Sequence, residues 1–175
     1  MKYATIKKCD VANGTGIRVS VFVSGCHHHC NGCFNTEAWD FNYGDDYTKE
    51  TEEKVLKLLD REYIQGLSLL GGEPLEHVNQ MGLLSLVKKA KERYPNKTIW
   101  CYTGYLFDTD VMEKMFNEWS ETRELVSNFD IVVDGKYDES LRDLNLKFRG
   151  SSNQRIIDVQ KTLKANEIVL VKEFE

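Results

Sequence analysis

The chain has 175 residues, of which 41% are hydrophobic and 29% are charged. This composition supports a folded core and excludes wholesale disorder. A net charge of −5 disfavours a broad nucleic-acid or anionic-membrane surface, and no apolar run approaches the ~20 residues that span a bilayer. The first residues lack the apolar core of a secretory signal. We therefore expect one cytoplasmic domain over residues 1–175, with no direct nucleic-acid or membrane partner.

The predicted secondary structure alternates between strands and helices. In the first predicted strand, Val19, Val21 and Val23 share one face and Phe22 lies on the other. In the first predicted helix, Tyr63 lies on the inward face. The predicted strands are residues 18–24, 67–70, 98–103 and 130–133, and the predicted helices are residues 48–63, 79–94 and 108–119. Such alternation predicts βαβ units, and hence an α/β fold with a mainly parallel sheet.

The two ends of the chain are less regular. Gly14 and Gly16 resemble the start of a dinucleotide-binding fingerprint, but no convincing strand precedes them and no third glycine follows at the required offset. Residues 148–155 are predicted to be a polar loop and residues 167–174 a last strand. The role of residues 120–128 is open, and the tail from about residue 159 is unassigned.

Four loops follow the four predicted strands. They are the cysteine loop (residues 26–33), the GGEP loop (residues 71–74), residues 103–104 and residues 134–135. Ligand sites of parallel α/β folds gather beyond the carboxyl ends of the strands. We therefore expect these four loops to lie together and to form the functional site.

The cysteine loop reads CHHHCNGC, with three and then two residues between Cys26, Cys30 and Cys33. This spacing lets the three sulfurs converge on a metal centre with one position open. Structural zinc is usually closed by four Cys or His ligands, and iron-sulfur electron carriers use four thiolates. The spacing alone leaves three alternatives: zinc completed by an intervening histidine, a cluster with one free iron, or inert buried thiols.

Five cysteines are an odd number, and three of them lie in this one loop. A disulfide framework is therefore a poor explanation, and a reducing compartment a better one. The two remaining cysteines, Cys9 and Cys101, are predicted to be small buried hydrophobic residues with no chemistry.

The three cysteines, followed by Phe34 and later by the GGEP loop, resemble the radical S-adenosylmethionine enzymes. Further blocks are similar to the activating proteins of anaerobic ribonucleoside-triphosphate reductase. These blocks are GIRVSVFVSGCHHHCNGCFN (residues 16–35), IWCYTGY (99–105), DIVVDGKY (130–137) and FRGSSNQR (148–155). They extend the resemblance to about residue 158.

The resemblance implies a 4Fe-4S cluster on Cys26, Cys30 and Cys33, with the unique iron free for the amino and carboxylate groups of S-adenosylmethionine. One electron would cleave this cofactor to methionine and a 5′-deoxyadenosyl radical. The three histidines are then interpreted as loop residues and not as ligands.

The resemblance also implies contacts to S-adenosylmethionine. The backbone of the two glycines in the GGEP loop would approach its methionine part, and the carboxylate of that loop would pair with its ammonium. The residues assigned to this cofactor are Gly32, Cys33, Phe34, Gly71, Gly72, Glu73 and Thr103. Further candidates are Arg18, Asp134 and Arg149. Without the cysteine loop, GGEP would equally suit a plain turn with Pro74 as helix starter.

The implied fold is a shortened, open radical-SAM (β/α) barrel, since a full (β/α)8 barrel needs ~250 residues. The implied function is to generate a glycyl radical on the large subunit of the anaerobic ribonucleotide reductase, with a low-potential electron donor such as flavodoxin. Two alternatives stay open. The chain could activate another glycyl-radical enzyme, such as pyruvate formate-lyase, or it could be a non-enzymatic metal-binding module.

Overall fold

Seven strands form one sheet in the computed structural model, which describes residues 1–175. The strands are β1 Lys2–Asp10, β2 Ile17–Val23, β3 Asp45–Asp46, β4 Ile64–Gly71, β5 Thr98–Tyr102, β6 Ile131–Asp134 and β7 Arg155–Asp158. Their order across the sheet is β3-β1-β2-β4-β5-β6-β7. The pairs within β2-β4-β5-β6 are parallel, and the pairs made by β1, β3 and β7 are antiparallel. The predicted α/β fold is confirmed, and the four predicted strands are the parallel ones.

The helices lie between these strands and after the last one. They are α1 Lys49–Leu59, α2 His77–Arg93, a π-helix Phe107–Met115, α3 Phe116–Glu118, α4 Ser120–Val126 and α5 Val159–Ala165. Short 3-10 turns cover Thr36–Trp39, Glu139–Leu141 and Lys172–Phe174. None of the helices combines the length and apolarity that a membrane crossing needs.

Helix α1 has a well-marked beginning and ends earlier than predicted. The Thr48 hydroxyl accepts the backbone N–H of Thr51, and Glu50 and Glu52 lie at the positive end of the helix dipole. The helix stops at Leu59, so the prediction that it continues to Tyr63 is wrong. Tyr63 lies exposed in the turn before β4, because the chain must reverse there to enter a strand that begins three residues before the predicted one.

Strand β1 was not predicted, and the expectation that no strand precedes Gly14 is wrong. The strand exposes Lys7, Lys8 and Cys9 to solvent, so it lacks the apolar alternation that marks a strand in sequence. Because β1 pairs antiparallel with β2, the glycines between them connect two strands and open no helix, which removes the dinucleotide interpretation. Cys9 is therefore exposed, against the prediction, whereas Cys101 is buried as predicted.

The prediction of a last strand at residues 167–174 is also wrong. The last strand is β7, which pairs antiparallel with β6 and takes in Arg155 from the predicted polar loop. Of the later residues only Leu170 forms an isolated bridge, to Ile157. β7 has four residues, which is too short for a hydrophobic period to be read from sequence, and its two isoleucines fill the place beside β6.

The sheet has apolar residues on both faces. The helices cover one face, where Val19, Val21 and Val23 join the main core as predicted. On the other face a smaller cluster forms around Trp100 and Val133. The segment whose role was open forms α4, and its Thr122 hydroxyl donates to Gln80 of α2 at 2.6 Å, so it packs onto the helical layer.

Arg18 is a buried cation that ties three parallel strands together. Its Nε donates to Ser68 Oγ at 2.7 Å, and Nη2 donates to the carbonyls of Leu67 at 2.9 Å and Thr98 at 2.8 Å. Nη1 donates to Thr98 Oγ1 and to the Thr15 carbonyl. Burial lowers the pKa of Arg18 to about 10. The side chain spans β2, β4 and β5 and satisfies all five of its donors.

Replacing Arg18 by methionine is predicted to lower the free energy of unfolding by about 3 kcal/mol, because buried acceptors on β4 and β5 lose their donors. Urea unfolding followed by circular dichroism measures this change. The exposed Arg61 provides the control, and R61M should change the same quantity by less than about 0.5 kcal/mol. Equal free energies of unfolding for R18M and R61M would contradict the role of Arg18 in joining β2, β4 and β5.

Candidate functional site

The four loops that were predicted to lie together border one cavity of about 550 Å³. It lies beyond the carboxyl ends of the parallel strands and is lined by Cys26, Gly72, Thr103 and Gly135, one from each loop. The connection between β6 and β7 (residues 135–154) supplies a further wall. The prediction that these loops meet is confirmed.

The cysteine loop leaves β2 through a tight turn at Gly25. This residue has φ of +96°, and a Cβ atom there would collide with the ring of Phe41. Its N–H donates to the Ala38 carbonyl at 2.8 Å, and the N–H of Cys26 donates to the Trp39 carbonyl at 3.2 Å. The glycine and these two bonds turn the chain from the strand into the cavity.

Cys26, Cys30 and Cys33 all line the cavity as free thiols. Burial raises the pKa of Cys26 to about 11, against the opposing effect of the N–H groups of His28 and His29. Burial also raises the pKa of Cys30. Cys26 and Cys30 therefore stay protonated at neutral pH unless a metal supplies the charge that removes their protons.

The three cysteines are the candidate metal donors at this cavity. No three His, Cys, Asp or Glu side chains are arranged to hold one metal ion in this conformation. A zinc ion needs its ligand atoms within about 2.0 to 2.3 Å of one point. Three cysteines on one loop at a cavity wall are a donor set that could hold an iron-sulfur cluster through three of its irons.

Two of the histidines link the cysteine loop to carboxylates after β4. His28 Nε2 lies 2.9 Å from Glu73 Oε2, and the two side chains are 7% and 1% exposed. His27 Nδ1 lies 2.9 Å from Glu76 Oε1. The ring of His29 packs on Trp39 at a centroid distance of 4.6 Å. All three rings are thus used in loop packing.

The two glycines of the GGEP loop are required by the protein's own backbone. Gly71 has φ of +112°, and the N–H of Gly72 donates to the Val23 carbonyl at 2.7 Å. A Cβ on Gly72 would lie 2.6 Å from the Gly25 carbonyl oxygen. This backbone packing explains why both positions are glycine, in addition to the predicted approach of their backbone to a cofactor. It brings the GGEP loop against the start of the cysteine loop.

The carboxylate of Glu73 joins three of the four loops. Its Oε1 accepts the N–H of Leu75 at 2.8 Å, and its Oε2 accepts the N–H of Gly104 at 2.7 Å. The same Oε2 faces His28 from the cysteine loop. Two backbone donors and one imidazole therefore hold this buried carboxylate in one orientation.

The remaining predicted cofactor residues also reach the cavity. Thr103 lines it and accepts the N–H of Tyr105. Phe34 lines its mouth and is 90% exposed. Gly32 lines it with φ of +75°, and the carboxylate of Glu139 occupies the place that a Cβ would take.

Two further candidates lie outside the cavity lining and have structural roles. Arg18 is the buried cation that joins β2, β4 and β5. The buried carboxylate of Asp134 accepts the N–H of Phe107 at 2.7 Å and pairs with Arg155. Arg155 also pairs with Asp108, and these two carboxylates raise its pKa. Arg149 does line the cavity.

Several lining residues were not predicted. Tyr102 borders the cavity with a buried hydroxyl that has no partner, and burial raises its pKa. Other unpredicted lining residues lie in the β6–β7 connection: Tyr137, Arg142, Leu144, Leu146 and Phe148. Tyr102 lies within the IWCYTGY block, which was a usable signal. Tyr137 and Phe148 likewise lie within the blocks at residues 130–137 and 148–155, whereas the residues between these blocks have no hydrophobic period that would predict their place at the cavity.

Replacing His28 by alanine is predicted to lower the free energy of unfolding by about 1–3 kcal/mol, because the buried Glu73 carboxylate loses one of its donors. His27 gives a matched control, since its side chain is 72% exposed. H27A should cost about 0–1 kcal/mol. Urea unfolding of both variants measures the difference, and equal losses would contradict the assigned role of the His28 pair.

Comparison with known proteins identifies the family of this chain. Residues 12–157 match the family model described as "4Fe-4S single cluster domain". The chain is 40% identical to the anaerobic ribonucleoside-triphosphate reductase-activating protein of Enterobacteria phage T4, over 89% of this chain and 93% of that protein. The proteins of the same name from Salmonella typhi and Escherichia coli K12 are 40% and 38% identical, over 88% of this chain and 96% of theirs. The chain therefore belongs to the family of anaerobic ribonucleoside-triphosphate reductase-activating proteins.

Proposed function

We propose that the protein is an iron-sulfur activase that uses S-adenosylmethionine to place a glycyl radical on the large subunit of an anaerobic ribonucleoside-triphosphate reductase. The observation that carries this proposal is one shared cavity. The three cysteines line it together with Gly71, Gly72, Glu73 and Thr103. The names of the relatives supply the partner. A low-potential electron donor such as flavodoxin completes the proposal.

The proposed fold is a single radical-SAM domain over residues 1–175, built as a shortened barrel. The parallel group β2-β4-β5-β6, with the cavity at its carboxyl ends, supports this proposal. The sheet order ends at β3 and β7, so the sheet is open at two edges. An open sheet leaves room for a protein substrate to approach the cavity.

Cys26, Cys30 and Cys33 would hold a 4Fe-4S cluster as thiolates. When bound, the cluster and S-adenosylmethionine supply a one-electron cleavage that yields methionine and a 5′-deoxyadenosyl radical. The protein's part is to bind, to orient and to exclude water. The buried position of Cys26 at the base of the cysteine loop supports the exclusion of water.

The carboxylate of Glu73 would accept a hydrogen bond from the ammonium of S-adenosylmethionine. An ionised carboxylate offers about four acceptor sites, and Leu75, Gly104 and His28 use three of them. The remaining site is available to a donor from the cavity. Since the other three contacts already fix the carboxylate, little orientational freedom is lost when the ammonium binds.

Gly32, Cys33, Phe34 and Thr103 would surround the rest of the cofactor. The ring of Phe34 is free of packing and lies at the mouth, so it can lie against the adenine. Gly32 keeps its backbone accessible at the cavity wall. These contacts would hold the adenosyl group where a substrate carbon enters.

Exposed apolar side chains around the mouth of the cavity support the proposal that the substrate is a protein. Phe34, Leu144 and Val11 are 90%, 83% and 70% exposed and are the three most exposed large hydrophobic side chains of the chain. Phe34 and Leu144 line the cavity, and Val11 precedes the lining residue Ala12. An apolar rim of this kind is typical of a surface that another protein covers.

The cluster proposal predicts a sharp division among the five cysteines. C26S, C30S and C33S should each lose most of the iron and sulfide, because three thiolates are needed to hold the cluster. C9S and C101S remove thiols that lie outside the cavity lining and should keep about four irons and four sulfides per chain. Iron, sulfide and zinc analysis measures this. Stoichiometric zinc without sulfide in the wild-type protein would contradict the cluster.

The activase proposal predicts a glycyl-radical signal on the reductase. Anaerobic incubation of reduced protein, S-adenosylmethionine and the purified large subunit should give the glycyl doublet in electron paramagnetic resonance, and C30S should give none. Pyruvate formate-lyase serves as the competing partner. A doublet on that enzyme alone would favour the alternative activase, and the absence of 5′-deoxyadenosine with any partner would favour a non-enzymatic module.

The same assay tests the apolar rim. L144S should lower the rate of radical formation on the reductase about tenfold, because one of the most exposed apolar side chains of the rim is lost. Cleavage of S-adenosylmethionine without the reductase should fall less than radical formation on the reductase, since Leu144 also lines the cavity. The control is Met81, which is 53% exposed on α2 and outside the cavity lining. If L144S and M81S activate the reductase equally well, Leu144 is not part of the docking surface.

A further inference from the structure

We propose that the tail segment (residues 159–175) is a positioning element that holds one wall of the cavity through Phe174. The matched family model ends at residue 157, before this segment begins. The proposal has two parts. The order of the wall depends on contacts within this chain alone, whereas the effect on cofactor affinity rests on the proposed function.

The tail segment passes from one face of the sheet to the other around the edge strand β7. Leu163 of α5 packs on the main core, and Asn166 ends the helix with φ of +55°. The chain then runs beside β7, where the Val169 carbonyl accepts the N–H of Asp158 at 2.9 Å and the N–H of Val171 donates to Ile156 at 2.9 Å. The residues that follow therefore reach the face opposite the helices.

On that face Phe174 completes an aromatic cluster. Its ring meets Phe148 edge to face, with a centroid distance of 5.2 Å and an angle of 89°, and meets Trp100 at 6.2 Å. Phe148 and Trp100 are themselves 5.4 Å apart. Edge-to-face pairs at these distances are favourable. The tail segment thus packs directly against a residue of the β6–β7 connection.

Phe148 needs such support because its backbone is strained. Its φ of +57° lies in the left-handed region, which a bulky side chain avoids unless surrounding contacts hold it there. The contacts that hold it are the rings of Trp100 and Phe174. Removing the Phe174 ring takes away one of these two supports.

Arg149 extends the support into the cavity wall. It lines the cavity beside Phe148, and its Nη2 donates to the Phe174 carbonyl at 3.2 Å while Nη1 donates to the Gln154 carbonyl at 2.8 Å. Its Nε is buried and has no partner. Phe174 therefore contacts two consecutive residues of the wall, one by its ring and one by its carbonyl.

The experiment compares Phe174→Ala with Leu163→Ala in the reconstituted protein. Both variants remove apolar atoms from the tail segment, but Leu163 packs on the helix side of the sheet. Anaerobic hydrogen exchange should become faster over residues 146–154 in F174A and stay unchanged there in L163A. The dissociation constant of S-adenosylmethionine, measured by equilibrium binding, should rise about tenfold in F174A alone.

Two further variants keep the test decisive. F174Y retains the ring in a half-buried position and should restore the wild-type exchange and affinity. F174L keeps most of the volume without the ring, and it replaces F174A in the comparison if that variant does not fold.

The outcomes separate this inference from the proposed function. Wild-type exchange over residues 146–154 in both F174A and F174L would overturn the positioning role, whatever the cofactor does. Equal cofactor affinity in F174A and wild type would overturn the affinity part. If the wild-type protein binds no S-adenosylmethionine while exchange in F174A still rises, the proposed function fails and the support of the wall stands.

Discussion

The buried carboxylate of Glu73 is the interaction on which the rest of the site depends. Burying a charged carboxylate costs several kcal/mol unless donors replace the lost water. Here the donors come from three chain segments: Leu75, Gly104 and His28. Each segment can supply its donor only if the strands before it end at the same level. The carboxylate thus links the ends of β2, β4 and β5 to one arrangement of the loops.

Parallel pairing provides that common level. Val23 of β2 lies opposite Gly71 of β4, and Leu69 of β4 lies opposite Cys101 of β5. The loops that follow therefore begin side by side, and Gly72 lies so near the Gly25 carbonyl that a Cβ atom on it would come within 2.6 Å of that oxygen. A side chain on Gly72 would push the GGEP loop away from the cysteine loop and would move Glu73 with it. The close packing of these two loops therefore requires glycine at this position independently of any cofactor.

The parts of this structure that sequence reveals are those with a strong period or a dense motif. The four parallel strands carry apolar runs, and the cysteine and GGEP loops are short, so the meeting of the loops could be predicted. β1 and β7 could not, because one is solvated along much of its length and the other has only four residues. The histidine pairings were also missed, since they depend on Glu73 and Glu76, which lie more than 40 residues away in sequence.

An open sheet creates a problem that a closed barrel does not have, because the face opposite the helices must also be kept from water. In this protein that face carries Trp100, Val133 and Ile156, and Phe148 and Phe174 cover them. The same covering residues belong to, or contact, the wall of the cavity. The contacts that bury the second apolar face therefore also hold the cavity wall in place. Packing on this small apolar cluster therefore supports a wall that is mostly irregular chain.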